Sequence, residues 1–217
     1  PSLVECLTPK IGVQTEWQDG TEEQWKTGKG IYPRFEEAIN HTFEGQAVIG
    51  LRSDDGHFAD NYVGAVRIVN GQYQMLGNTN YKTRDLNGGI FDKEVYDPPT
   101  AISSSLQPGQ SVVLSTTLVS TEYDEKTGLP KTPSRYAYSE KFEFLGYEDV
   151  TFANNVTSKG ACKIKITTLV DEEMPKYAGS YLLAWSVPGY GFVRSERYTF
   201  NGEKESHGVI TKIFKAP

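Results

Sequence analysis

Long apolar runs are missing from this chain. No stretch approaches the ~20 apolar residues that a membrane-spanning helix needs, so no helical span lies within the 217 residues. Methionine occurs only twice, alanine is scarce and the hydrophobic share is 37%, a composition that argues against a helical bundle. Histidine occurs three times, at His41, His57 and His207. None falls in a His-x-x-x-His or His-Glu-x-x-His arrangement, which speaks against a catalytic zinc. The Gly-x-Ser-x-Gly elbow of serine hydrolases, the glycine-rich phosphate cradle and Cys-x-x-Cys spacing are all lacking. A clustered basic face is lacking as well: 22 basic against 28 acidic residues leave a net charge of −6, which favours solubility and provides no nucleic-acid footprint.

What is present is strand chemistry. Tyrosine (13), phenylalanine (10), valine and threonine suit pleated, half-buried surfaces, and 21 glycines supply turns. Strand-like runs follow one another: Thr42–Leu51, Tyr62–Val69, Gln72–Leu76 or slightly beyond, Ser111–Ser120, Arg135–Leu145, Glu148–Phe152, Cys162–Val170, Tyr181–Ser186, Phe192–Phe200 and Gly208–Phe214. Asn70-Gly71 and Asn201-Gly202 are strong hairpin signals. Asp97-Pro98-Pro99 is expected to break the chain, since proline cannot donate to a ladder. Residues 1–30 read as an irregular segment in which Val13–Trp17 forms a strand paired with Gln24-Trp25-Lys26 across Asp19-Gly20. Arg34–Ile39 is one helical turn or an edge strand. These runs predict a single all-β domain over 1–217, with a possible sub-boundary near 97–99 and at most one short helix. The architecture is an antiparallel meander closing on itself or wrapping around something.

Candidate chemistry is sparse. Ser53–Asn61 is the one dense group of metal-ligand types, and Asp54, Asp55 and Asp60 are weak candidates for Ca²⁺. No glutamate stands at the EF-hand distance, and a polar hairpin tip explains the segment equally well. Tyr181 and Trp185 lie four residues apart on one strand, hence on one face with Leu183 between them, where they line either a ligand cavity or the core. Trp17 and Trp25, with several tyrosines near turns, are candidates for flat aromatic contacts to sugars or proteins. No catalytic residue and no cofactor is indicated.

From about Tyr96 to Ile213 the chain resembles a broad group of uncharacterised exported bacterial proteins of the periplasmic lipoprotein-carrier type. The matching residues are Pro98-Pro99, Gly109-Gln110-Ser111, Gly146, Glu148, Val150-Thr151, Ala161-Cys162-Lys163-Ile164, Trp185, Pro188-Gly189, Gly191 and Val193-Arg194. The resemblance implies a curved antiparallel sheet, an open half-barrel or flattened barrel, with an apolar concave face. Two departures stand out: Ala153–Gly160 replaces a tighter connection, and the helix that crosses the concave face is hard to find. Export agrees with a chain that starts at Pro1 rather than methionine, which leads us to expect a removed N-terminal segment. In an oxidising compartment Cys6 and Cys162 would pair; the alternatives are a buried free Cys162 beside an exposed Cys6, or a lipidated Cys6.

The expected function is that of a non-enzymatic exported protein, periplasmic or attached to the outer envelope. Its curved sheet would bind an apolar ligand such as a lipid, an acylated partner or another envelope protein, with Tyr181 and Trp185 on the apolar face. A carbohydrate-binding or adhesion module using exposed tyrosine and tryptophan is the alternative, and a hydrolase with a site near Asp54–Asn61 a weaker one. Oligomeric state is left open.

Overall fold

A sequence that alternates large apolar with polar residues between tight turns has one economical solution, the up-and-down antiparallel sheet. The computed structural model of the chain describes residues 1–54 and 61–217. In chain order the elements are α1 (Leu3–Leu7), β1 (Gln14–Thr21), α2 (Glu22–Thr27), β2 (Arg34–Phe43), β3 (Gln46–Asp54), β4 (Asn61–Val69), β5 (Gln72–Tyr81) and β6 (Ile90–Ser103). They continue with β7 (Ser111–Glu122), β8 (Ser134–Phe152), β9 (Val156–Asp171), a 3-10 turn (Pro175–Tyr177), β10 (Tyr181–Val187), β11 (Gly191–Tyr198) and β12 (Lys204–Lys215). From β2 to β12 each strand pairs antiparallel with its successor, and β1 joins the two ends.

The sheet is therefore a closed twelve-stranded barrel: the meander closes on itself, and the open half-barrel that the resemblance implied does not form. The closing strand comes from the segment read as irregular. β1 pairs with β12 from Gln14↔Lys215 to Thr21↔Ser206, and with β2 over Gln14–Trp17. Its alternation was visible, but its partner lies almost the whole chain away. The proposed local partner Gln24-Trp25-Lys26 is helical instead. Thr21 and Gln24 form a reciprocal capping box, and Gly28 ends the helix in the left-handed region at φ 71°. A second box, Ser2 with Glu5, starts α1. The chain thus has two short α-helices and a 3-10 turn where at most one helix was expected.

Other boundaries moved for local reasons. Thr42–Leu51 is two strands, split by a turn at Glu44 and Gly45, both with positive φ. The expected Asn70-Gly71 hairpin is present, joining Val69 to Gln72. Asp97-Pro98-Pro99 lies inside β6: pairing with β7 stops at Asp97↔Thr117, while β5 shifts register between Met75 and Gly77. The prolines thus fall where the strand has already left one neighbour. Gly146, at φ 120°, absorbs a bulge that fuses two expected strands into the 19-residue β8. The expected 153–160 loop shrinks to a turn at Ala153, Asn154 and Asn155, all of positive φ.

Inside, α1 touches β5 and β6 on one wall and β9, β10 and β11 on the other, so it lies within the barrel. Leu3, Val4, Cys6 and Leu7 pack with Val66, Tyr73, Ile102, Leu114, Phe142, Phe144, Ile164 and Ala184. The sequence read this segment as irregular, because five residues are too few for periodicity to show. Cys6 and Cys162 form a disulfide across 156 positions of chain, which tethers α1 to β9. With its sulfur committed to Cys162, Cys6 is neither the lipidated nor the free cysteine of the alternatives.

A second cluster joins Trp17, Val150, Phe152, Ala161, Trp185, Val187, Val193 and Ile210. Here the far end of the β8–β9 hairpin folds back onto β11 and β12, and the Ala153 amide donates to the Ile210 carbonyl at 2.7 Å. A third cluster, Phe43, Val48, Ala65 and Leu76, lies around Gly77. At Gly77, with φ 143°, a Cβ would press on the Glu94 carbonyl and the Phe43 ring.

Two outcomes follow from this packing. Cleaving the disulfide restores the entropy of a very long loop, which the chain-entropy model sets at about 5 kcal/mol. A Cys6→Ser, Cys162→Ser protein should lose about 2–5 kcal/mol in urea denaturation, and equal midpoints for oxidised and reduced wild type would refute the tether. Gly77→Ala should cost several kcal/mol, on the order of 2–4, because left-handed strain adds to a backbone collision. Ala65→Gly, on the neighbouring strand, should cost clearly less in the same assay.

Candidate ligand-binding lumen

Alternation along each strand divides the inner wall into two halves. On β8, Phe142 and Phe144 pack around α1. The same face continues, two residues at a time, through Glu140, Tyr138 and Tyr136. Pairing carries that face round the barrel. Thr116 opposes Tyr138, Tyr96 opposes Leu118, Glu94 opposes Asn78, Tyr62 opposes Asn80, Ser53 opposes Tyr62 and Glu36 opposes Ser53. One half of the interior is thus apolar and filled by α1, and the other is built from tyrosine, carboxylate and amide groups.

These polar groups hold one another. The Tyr138 hydroxyl donates to Glu140 Oε2 at 2.7 Å, Asn80 Nδ2 to Asp92 Oδ1 at 2.7 Å, and Asn78 Nδ2 to Glu94 Oε1 at 3.3 Å. Arg34 is paired twice, with Asp19 and with Glu36. Burial disfavours charge here. It pushes the Tyr62 hydroxyl up to about 12 and raises Tyr96 and Tyr138 as well. Burial also raises the carboxyl groups of Glu94 and Glu140 above the usual carboxylate range; the Asn78 and Tyr138 hydrogen bonds pull the other way.

Two cavities meet in this region. The inner one, about 190 Å³, is bounded by Leu7 of α1 and by Val13, Ala38, Leu51, Phe192 and Ile210. The outer one, about 910 Å³, reaches the rim, where Asp19, Thr21, Gln24, Tyr32, Arg34 and Asn80 surround it. Glu36, Ser53 and Tyr62 line both. The path therefore runs from a polar mouth to a more apolar inner end bordered by Leu7 of α1, with the Glu37–Arg52 ion pair at its side. Helix α2 forms part of the rim and is docked on β12. The Trp25 ring stacks on His207 at 4.6 Å, Trp25 Nε1 donates to the His207 carbonyl at 2.9 Å, and Glu22 meets His207 Nδ1 at 2.8 Å.

Tyr181 and Trp185 do share a face, but it is the face turned away from α1. Ala184, between them in the alternation, packs with the α1 cluster, whereas Trp185 belongs to the cluster under the β8–β9 hairpin. Lys163 and Arg194 lie 5.1 and 5.3 Å from the Trp185 ring centre. Lys165 stands 4.3 Å from the Tyr181 ring, which stacks on Tyr198. Trp17 is buried, with its ring against Gly208 and the Arg34 guanidinium 5.4 Å away. Trp25 sits on the rim helix. Of the weak metal candidates, Asp54 is buried and paired with Arg84 at 2.9 Å, and Asp55, His57 and Asp60 lie outside the described residues. Among the described residues no group of three or more histidine, cysteine, aspartate or glutamate side chains is placed to hold a metal.

Sequence reasoning missed Tyr62, Glu94, Tyr96, Tyr138 and Glu140 as a set. One signal was available: Glu140 falls between Tyr138 and Phe142 in the same period-two series, so a carboxylate shares the buried face of that strand. For Glu140 the folded protein binds its proton more tightly than the unfolded chain does. The ionised form thus subtracts stability as pH rises from the unfolded value through the raised folded one. Glu140→Gln, which keeps an acceptor for Tyr138, should match wild type in thermal unfolding near pH 4 and exceed it at pH 7. A gap independent of pH, or of opposite sign, would contradict this.

The same chain fold occurs in two solved bacterial proteins. One is a candidate exported protein with YmcC-like fold from Bacteroides fragilis, 16% identical, with a TM-score of 0.55 over 96% of this chain and 98% of that one. The other is a candidate lipoprotein from Parabacteroides distasonis, 13% identical, with a TM-score of 0.51 over 95% and 97%. No protein-family model matches the sequence, and no curated protein does. At these identities the likeness is one of fold: an all-β antiparallel barrel shared end to end with the two proteins.

Proposed function

We propose that this chain is an exported, non-enzymatic bacterial envelope protein that binds a small amphipathic molecule, or the acyl group of a partner, in the lumen of its barrel. The observation that carries the reading is the pair of joined cavities, polar at the rim and apolar where α1 ends. A twelve-stranded barrel is wider than one that side chains alone can fill. Helix α1 fills one half and leaves the other as a site with an apolar floor and few convergent polar groups, the usual form of a ligand pocket. Burial of an alkyl segment against Leu51, Phe192 and Ile210 would contribute about 25 cal/mol per Å² of apolar surface. Export is supported by the disulfide, which persists in oxidising compartments, and by the fold shared with a candidate exported protein and a candidate lipoprotein.

Tyr181 and its stacked partner Tyr198, with Lys165 over the Tyr181 ring, suit contact with another envelope protein better than capture of a small ligand, whereas Trp185 is buried beneath the β8–β9 hairpin. Trp25 contributes to the lumen by seating the rim helix rather than by touching a ligand.

Native mass spectrometry of protein purified from its host tests the proposal. A bound small mass should appear on wild type and be lost from Ser53→Trp, which places a bulky ring where the two cavities join. A clean apo mass, together with no binding of alkyl probes by calorimetry, would overturn lumen binding. Trp185→Ala should leave the bound mass in place.

A further inference from the structure

The charges on the lumen wall say which kind of amphiphile it would take, an inference that rests on the lumen-binding reading above. Following the register from strand to strand, the inner face of the open half carries Asp19, Glu36, Asp92, Glu94, Glu140 and Asp171. Against these six carboxylates stand Arg34 on β2 and Arg197, which opposes Leu182 and Ser206; a third guanidinium, Arg52, lines the inner cavity but is paired there with Glu37. Arg34 is already held by Asp19 and Glu36. The wall is therefore acidic well beyond the modest negative balance of the whole chain, and low-dielectric walls focus such a field into the space they enclose.

The acids are not gathered at one point. They are spread over β1, β2, β6, β8 and β9, with Tyr62, Tyr96, Tyr138, Asn78 and Asn80 between them, and no three come close enough to chelate a metal among the described residues. A dispersed ring of carboxylates alternating with tyrosines suits a charge that is itself large and diffuse. Tyrosine faces attract organic ammonium groups, and the carboxylates neutralise them. An anionic head would instead have to leave water for a wall of its own sign. Tyr62 marks the junction, because it lines both cavities and lies beside Asn78 and Glu94.

We infer that the lumen ligand is a cationic amphiphile: an ammonium-bearing head held at Tyr62 among Glu36, Glu94 and Asp92, with its alkyl tail directed past Ser53 toward Leu51 and Ile210. Binding needs no covalent step.

The test is isothermal titration calorimetry with three probes of equal chain length, each below its micelle concentration: decyltrimethylammonium, decanol and decanoate. The cation should bind at least about tenfold more tightly than decanoate, with decanol between them. Glu94→Gln and Glu36→Gln should each narrow the gap between cation and decanol, while Glu196→Gln, on the opposite face, leaves it unchanged. Circular dichroism of each variant guards against misfolding. If decanoate binds as well as the cation and Ser53→Trp abolishes both, the charge inference fails while the lumen reading stands. If no probe binds, or binding survives Ser53→Trp, both fail.

Discussion

A closed sheet of twelve strands encloses more space than its own side chains can occupy, and the rest of this structure depends on how that space is filled. Empty apolar volume would cost contacts on every wall, since interiors are packed to crystal-like density. The solution is a single helical turn and a half, α1, laid between opposite walls with Leu3, Val4, Cys6 and Leu7 buried. So short a helix has little stability of its own. It is held by a capping box at its start, by packing on both walls and by the bond from Cys6 to Cys162. The disulfide thus does more than shorten the unfolded chain: it places the plug at one level of the barrel and defines where the open half begins.

Closure imposes a second requirement. Strand β1 has to serve two neighbours, and it meets β2 over only four residues while running beside β12 for its full length. Where β11 and β12 part company, the overlong β8–β9 hairpin bends back and supplies Val150, Phe152 and the Ala153 amide to cover the gap. Glycines at points of close backbone approach, Gly77 above all, let the sheet coil tightly enough to close. The polar half of the lumen is the remainder after these demands are met. Its carboxylates are held by neighbours, Glu140 by Tyr138, Glu94 by Asn78 and Asp92 by Asn80, and the burial that raises the proton affinity of Glu94 and Glu140 also makes an incoming opposite charge valuable there.

Much of this was legible in the residues. Period-two alternation located most of the strands, though not β6, where Asp97-Pro98-Pro99 read as a break, and the Asn-Gly turns joined the right neighbours. The aromatic series Tyr136, Tyr138, Phe142 and Phe144 marked a half-buried face. The pairing of Cys6 with Cys162 was expected from compartment and resemblance together. Legibility failed in three places. α1 is too short to show a helical period. Thr21-x-x-Gln24 signals a cap, but Asp19-Gly20 signals a hairpin just before it, and the cap prevailed because the distant β12 claimed the strand. The site was hidden because its members come from many strands, none of them close in sequence.

The sequence by itself determined the local alphabet of the protein: antiparallel strands, their turns and their two-sided patterning. Those properties depend on neighbours within a few residues, where propensity, turn chemistry and alternation act. The tertiary structure alone decided that the sheet closes, which face of each strand looks inward, and that acids from five strands face one interior. Alternation says that two faces exist but not which is inside; the choice comes from α1 and Cys162, which make the Ala184 side the interior and turn Tyr181 and Trp185 outward.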